Sequence, residues 1–180
     1  QWTALGAEVI EVTLPALSAM VPDWLPACAV ECARVYEEIW RSKPALFGDQ
    51  LGALIQTGLA VPGTEYRAIL QRRAAFAGKM RAMFDQVDAL LLHVTARSAL
   101  QQRQIDALGV GEDWESQIML TTCPINMAGL PAVTFPAGMT EKQTSVGVQL
   151  VGGEDQEAFL LRMVHAFQRS TAYHLQRPQR

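Results

Sequence analysis

The sequence has few cysteines, little charge and no long apolar run. Its 180 residues include only Cys28, Cys32 and Cys123, and a sparse, odd set argues against a disulfide framework and is typical of a reducing compartment. No apolar run approaches the roughly 20 residues that cross a bilayer. The net charge of -3 lacks the basic excess that favours nucleic acid or anionic membranes. We therefore expect a cytoplasmic protein with neither nucleic acid nor membrane as a partner.

Motifs for metal, phosphate and serine chemistry are also missing. Cys28 and Cys32 stand four apart without a further ligand at metal-binding spacing, which predicts core packing. No serine stands in a Gly-x-Ser-x-Gly turn, and no glycine-rich segment fits a phosphate-binding pattern. A cysteine hydrolase using Cys123 with His93 or His165 has no local support. We expect no metal and no cofactor.

What is present is an alternation of helix and strand patterns, which predicts an α/β fold with a mixed β-sheet flanked by α-helices. The predicted elements are a strand at 9–12, helices over 25–40, 46–59 and 64–87, a strand at 89–94, a short helix at 114–122, strands at 131–135 and 146–151, and a final helix after residue 155.

Finer expectations concern burial and helix ends. The unalternating run at 89–94 predicts a strand covered on both faces, whereas alternation at 146–151 predicts one buried face. Thr64 and Asp155 are predicted helix caps. The basic residues of the third helix predict a solvated face: Arg67, Arg72, Arg73, Lys79 and Arg81.

The first residues predict that the sequence opens in the middle of a helix-to-strand unit. Residues 1–5 have the pattern of a last helical turn, and Gly6 stands where a left-handed C-cap is expected. Because a single turn is not stable alone, we expect further sequence upstream.

Two segments marked by glycine and proline carry the most specific pattern. Residues 122–138 read TCPINMAGLPAVTFPAG, and residues 146–152 read VGVQLVG. Gly129 permits a sharp turn, and Pro131 can start a strand where no donor is needed. Taken alone, these features predict a pair of neighbouring strands joined by a loop.

The two segments resemble the C-terminal motifs of the amidase signature family, which are Asn-x-x-Gly-Leu-Pro-Ala, Pro-Ala-Gly and Gly-x-Gln-Leu-x-Gly. Residues 5–15 and 88–92 resemble upstream family strands, so the resemblance covers nearly the whole chain in the family's order. The matching motif positions are Asn126, Gly129, Leu130, Pro131, Ala132, Pro136, Ala137, Gly138, Gly147, Gln149, Leu150 and Gly152.

The resemblance implies hydrolysis of an amide C–N bond in a small molecule by a Ser–cis-Ser–Lys triad. In the family the triad lies N-terminal to the matching part. This sequence has no Gly-Ser-Ser-Gly-Gly-like loop, and Lys43, Lys79 and Lys142 lie outside the family's lysine context. We therefore expect residues 1–180 to be the C-terminal portion of one amidase domain, without catalytic residues and inactive alone. Its expected partner is an N-terminal amidase portion, in the same polypeptide or a separate chain.

The resemblance also implies a pocket wall formed by the helix and turn before the Gly-Leu-Pro motif, approached by the end of the strand at 89–94. After Leu92 this sequence has His93-Val94-Thr95 where the family usually has Pro-Thr, which leaves the substrate class open. Structural alternatives are core packing for the apolar residues, turn hydrogen bonds for the asparagine and sheet hydrogen bonds for Gln149. The expected substrate-binding residues are Ile118, Met119, Thr122, Cys123, Asn126, His93 and Thr95.

A different class of function stays open, namely a free-standing, non-catalytic binding or assembly module derived from the same fold. Such a module should protect its sheet edges with charges or prolines. Residues 9–12 and 90–92 have little such protection, which favours the amidase hypothesis. The sequence leaves open whether the protein forms a homo-oligomer.

Overall fold

The computed structural model describes residues 1–97, 100–108, 118–141 and 144–177. Helices combine with one three-stranded sheet, which confirms the predicted mixture of helix and sheet. In the described ranges no helix is both long and apolar enough to cross a membrane. The elements are α1 (Val21–Ser42), α2 (Asp49–Ala60), α3 (Gly63–Arg81), β1 (Ala89–His93), α4 (Gln102–Leu108), α5 (Cys123–Ala128), β2 (Ala132–Met139), β3 (Ser145–Gly152) and α6 (Glu157–Arg169).

The sheet has the order β1-β3-β2, and β3 pairs antiparallel with both neighbours. Leu150 lies opposite Leu91 on one side and Val133 on the other. The sequence predicts that Pro136 ends β2, but the strand continues to Met139 through an irregularity between Pro136 and Gly138. Proline is tolerated there because β2 is an edge strand, where a missing donor need not break the ladder.

Two apolar cores form on opposite faces of the sheet. In the first, Leu90 and Val151 pack with α3 and α5 residues such as Met80 and Ile125. In the second, α6 packs across the other face, and the Trp2 ring stacks on Phe167 with ring centroids 5.1 Å apart. The buried members of this second core are Phe135, Leu150, Leu160, Val164 and Phe167.

Helices α1 and α2 form a hairpin that depends on small residues. A Cβ atom at Gly58 would overlap the backbone carbonyl of Ala29 and approach the methyl group of Ala33. The two helix backbones can therefore come close together only because this position has no side chain. Cys28 and Cys32 on α1 are half-buried, so they belong to the margin of the core.

The basic face of α3 is largely solvated, as the sequence predicts, and two of its arginines also bond to other helices. Arg72 donates two hydrogen bonds, of 2.7 and 2.8 Å, to the buried carboxylate of Asp23 on α1. Arg73 donates a bond of 2.9 Å to the backbone carbonyl of Met127 on α5. These contacts join α3 to two other helices, which a pattern of exposed charge along one helix cannot reveal.

The predicted first strand is wrong. Residues 7–16 lie in neither helix nor strand, and they pair with none of the described strands. Val9 and Ile10 are 65% and 50% exposed, whereas Val12 and Leu14 pack against the first core. A strand requires a neighbour that accepts and donates its backbone hydrogen bonds, and a short apolar run cannot supply that neighbour.

The burial predictions for β1 and β3 are also wrong. The expectation that β1 is covered on both faces fails at Leu91, which is 46% exposed because β1 lies at the sheet edge. The expectation of one buried face for β3 fails because β3 is central, so Gln149, Leu150 and Val151 are all buried. Position within the sheet, rather than local alternation, decides both cases.

Predictions about helix ends gave mixed results. Gly6 and Gly129 are left-handed C-caps with φ of 90° and 70°, as predicted for Gly6 and consistent with the sharp turn expected at Gly129. The predicted caps Thr64 and Asp155 are wrong, because α3 begins at Gly63 and α6 begins after Gln156. Residues 114–117 of the predicted helix at 114–122 lie outside the described residues, and residues 120–122 form a turn rather than a regular helix.

Candidate functional site

The end of β1 and the turn before α5 lie close together around the side chain of Gln149 on β3. The Gln149 side-chain nitrogen Nε2 donates to the carbonyl of Thr121 at 2.7 Å and to the carbonyl of His93 at 3.3 Å. The strand end and the turn are distant in sequence, so this one amide group joins two segments that the fold brings together.

A second set of bonds runs beside the first. The Thr121 hydroxyl donates to the Val94 carbonyl at 2.6 Å, and the Val94 amide donates to the Gly147 carbonyl at 3.3 Å. Thr121 and Gln149 are each only 4% exposed. Burying polar side chains is costly unless their hydrogen bonds are made, so this arrangement favours one position of the turn relative to the sheet.

The predicted site residues Ile118, Met119 and Thr122 are half-buried along this turn. The Thr122 hydroxyl lies 3.5 Å from the carbonyl of Ile118 and 3.4 Å from that of Met119. Both distances are long for a hydroxyl donor, so these bonds are weak. The turn therefore combines two partly accessible apolar side chains with a weakly held hydroxyl.

The exposed Asn126 uses its side-chain nitrogen within its own helix. Its Nδ2 donates to the Thr122 carbonyl at 3.0 Å, and its backbone N–H donates to the same carbonyl at 3.1 Å. Its own carbonyl accepts from Gly129, the left-handed residue that ends α5. The Asn126 side-chain nitrogen is therefore used in a local hydrogen bond, which is the structural role given above as the alternative to substrate binding.

The remaining predicted site residues differ in accessibility. Cys123 is 5% exposed, with its sulfur 4.0 Å from the Thr122 hydroxyl, so it is a core residue beneath the turn. His93 is exposed at the end of β1. Thr95 is half-buried, and its hydroxyl donates to the Arg97 carbonyl at 2.6 Å. The fold thus places His93 and Thr95 at the strand end that Gln149 and Thr121 tie to the turn.

Three residues of this arrangement, Thr121, Val94 and Gln149, were not among the predicted site residues, although Gln149 was identified as a family motif position. A glutamine within the apolar strand at 146–151 was a usable signal, since a buried amide needs partners. Nothing in the sequence distinguished Thr121 from Thr122.

The chemistry available here is that of neutral hydrogen bonds and apolar contacts. Such surfaces suit the recognition of a small neutral molecule, in which a few polar groups fix orientation. Within the described parts of the chain, no group of three or more His, Cys, Asp or Glu side chains is arranged to hold a metal ion.

Comparisons with known proteins agree with the resemblance seen in the motifs. AmiD of Mycobacterium tuberculosis, assigned to the amidases, is 34% identical over 150 residues, which cover 83% of this chain and 32% of AmiD. A glutamyl-tRNA(Gln) amidotransferase subunit of Halorhodospira halophila is 30% identical, with 97% of this chain and 40% of that protein covered. The chain thus spans about a third to two fifths of the length of these relatives.

Solved structures show the same fold. The crystal structure of an amidase superposes with a TM-score of 0.76 at 27% identity, covering 93% of this chain and 39% of the other. The 6-aminohexanoate cyclic dimer hydrolase superposes with a TM-score of 0.77 at 23% identity, covering 98% and 40%. The Amidase family model matches residues 1–161. The chain therefore belongs to the Amidase family.

Proposed function

We propose that this chain is the C-terminal portion of an amidase that hydrolyses the C–N bond of a small amide. In this proposal the chain supplies part of the sheet and a wall of the substrate pocket. The Ser–cis-Ser–Lys triad lies in an N-terminal amidase portion, carried by the same polypeptide or by a separate chain.

One observation carries the proposal: the turn at 118–122 is tied to the end of β1 by the buried Gln149 amide. These two hydrogen bonds join the segments that carry five of the expected substrate-binding residues, which are Ile118, Met119, Thr122, His93 and Thr95. In the proposed pocket Ile118 and Met119 contact the apolar part of the substrate, and the Thr122 hydroxyl and His93 contact its polar groups. Thr95 supports the strand end, while Cys123 and Asn126 shape the turn and helix.

The exposed apolar residues near the start of the chain support a covering partner. Val9 and Ile10 project from a segment whose next apolar residues, Val12 and Leu14, pack in the first core. Exposed apolar surface favours association. A free-standing binding module, the alternative hypothesis, should instead remain monomeric without a partner, which light scattering on the chain alone measures.

The activity test compares the chain alone with the chain joined to or mixed with its N-terminal amidase portion. Release of ammonia or amine from simple amides is expected only when both portions are present. The proposal is contradicted if the chain alone hydrolyses amides, or if the combined protein does not.

The pocket wall is tested in the combined protein with Met119→Ala. Removing a side chain that contacts substrate should raise KM for amides with large apolar groups more than for small ones. The matched control is Met163→Ala, since Met163 is also half-buried but packs on the second core. Equal changes in KM for Met119→Ala and Met163→Ala would show that the turn does not face substrate.

A further inference from the structure

We infer that Gln149 is a positioning residue that sets the distance between the 118–122 turn and the end of β1, and thereby the shape of the pocket wall that meets the substrate. The inference rests on the proposed function, since it assigns a supporting role to a residue behind the same wall. Gln149 is 4% exposed, so it acts through the turn rather than by touching substrate.

The side chain at this position must donate two hydrogen bonds. The carbonyl oxygens of Thr121 and His93 both point at the Gln149 nitrogen, at 2.7 and 3.3 Å. A primary amide nitrogen carries two hydrogens and can serve both acceptors. A carboxylate of the same shape has acceptors only, so glutamate would place like partial charges against each other.

The bond from the Thr121 hydroxyl to Val94 gives the turn a second attachment to the same strand end. Loss of the Gln149 amide should therefore shift and loosen the turn without detaching it from the sheet. Displacements near 1 Å of substrate-positioning groups can lower catalytic efficiency by about a hundredfold.

The test uses the active preparation, which contains this chain together with the N-terminal amidase portion. The variants Gln149→Leu and Gln149→Glu are compared with Gln56→Leu, a control on an exposed glutamine of α2. Values of kcat and KM are measured for one small amide, and hydrogen exchange is followed in the peptide covering the turn.

We expect both Gln149 variants to raise KM by about tenfold or more and to speed exchange in the turn, because the wall is displaced while the reacting groups are intact. Gln149→Glu should be no better than Gln149→Leu, although it matches glutamine in shape. The kcat and KM of Gln56→Leu should stay within about twofold of the values for the parent protein.

Three outcomes overturn this inference. The first is unchanged kinetics and exchange in both Gln149 variants. The second is a fall in kcat at constant KM in proportion to lost folded protein, which marks a purely structural role. The third is rescue by glutamate. Inactivity of the unsubstituted preparation is a separate result, because it refutes the proposed function itself.

Discussion

The side-chain nitrogen of Gln149 lies 2.7 Å from the carbonyl oxygen of Thr121, although 28 residues separate the two in sequence. This bond joins the central strand of the sheet to the turn that leads into α5. The Thr121 hydroxyl extends the connection to the Val94 carbonyl at 2.6 Å. Together the two side chains link β3, the end of β1 and the turn, so their removal gives direct tests of the site's architecture.

Replacing Thr121 by valine should lower the free energy of unfolding by about 1 kcal/mol, because the half-buried Val94 carbonyl loses its donor. Thr121→Ser keeps the hydroxyl and should therefore lose less stability than Thr121→Val. Urea unfolding measures both. The control is Thr57→Val, since the exposed Thr57 hydroxyl bonds only within its own helix. The proposed role of Thr121 in the turn is wrong if Thr121→Val and Thr57→Val lower the free energy of unfolding equally.

Gly58→Ala should destabilise the chain by about 1–3 kcal/mol, the usual cost of overpacking. The new methyl group would overlap the Ala29 backbone, which cannot move aside as a flexible side chain could. Gly78→Ala on α3 is the matched control, because nothing lies within 4 Å of a Cβ atom there. We expect Gly78→Ala to be stabilising by up to about 1 kcal/mol. Similar thermal unfolding midpoints for the two variants would contradict the close hairpin.

Arg72→Met should lower the thermal midpoint more than Arg67→Met, which alters an exposed residue of the same helix. The loss arises because Asp23, only 7% exposed, would lose the guanidinium that donates two hydrogen bonds to its carboxylate. Adding Asp23→Asn to Arg72→Met should recover part of the loss. Circular dichroism gives the thermal midpoints. If the double variant has the same midpoint as Arg72→Met, loss of the ion pair is not the cause.

The same pair should resist alkaline conditions. An arginine is charged throughout the mildly alkaline range, and hydrogen bonds to Asp23 and Glu65 raise the pKa of the Arg72 guanidinium further. The difference in midpoint between the parent chain and Arg72→Met should therefore stay constant from neutral to mildly alkaline pH. A difference that disappears on raising the pH would contradict this assignment.

Cys28 should react slowly with iodoacetamide. Burial, followed by the nearby Glu31 carboxylate, raises the pKa of the Cys28 thiol, so the folded chain holds less of the reactive thiolate at about pH 8.5. The associated stability is present below the thiol pKa of the unfolded chain and is lost as pH rises through the folded pKa. Peptide mapping after timed alkylation gives the rate. An equal pH midpoint for Cys28 in folded and urea-unfolded chains would rule out the shift.

Local chemistry was sufficient to predict most helices and the glycine turns. Apolar spacing predicted α1 and α2, because a helix must bury one face whatever it packs against. Gly6 was predictable because left-handed backbone strongly favours glycine. The family motifs around Gly129 and Gln149 identified the family for a similar reason, since they are read residue by residue along the chain.

Predictions that depended on a distant partner failed. Residues 9–12 belong to a short apolar run typical of a strand but have no neighbouring strand among the described residues. Leu91 is exposed because β1 is an edge strand, and the order of strands was not readable from the sequence. Arg72 is exposed as predicted, but its bonds to Asp23 were not predictable, because Asp23 lies 49 residues away on another helix.

The sequence by itself determined the family, the mixture of helices and strands, and the segment around 118–126 as the candidate site. These follow from side-chain periodicity, backbone restrictions and motif identity, all of which are local along the chain. Only the tertiary structure decided that β3 is central, that Gln149 turns its amide toward Thr121 and His93, and that Cys123 is buried. Each of these depends on contacts between residues distant in sequence, whose geometry exists only once both cores have formed.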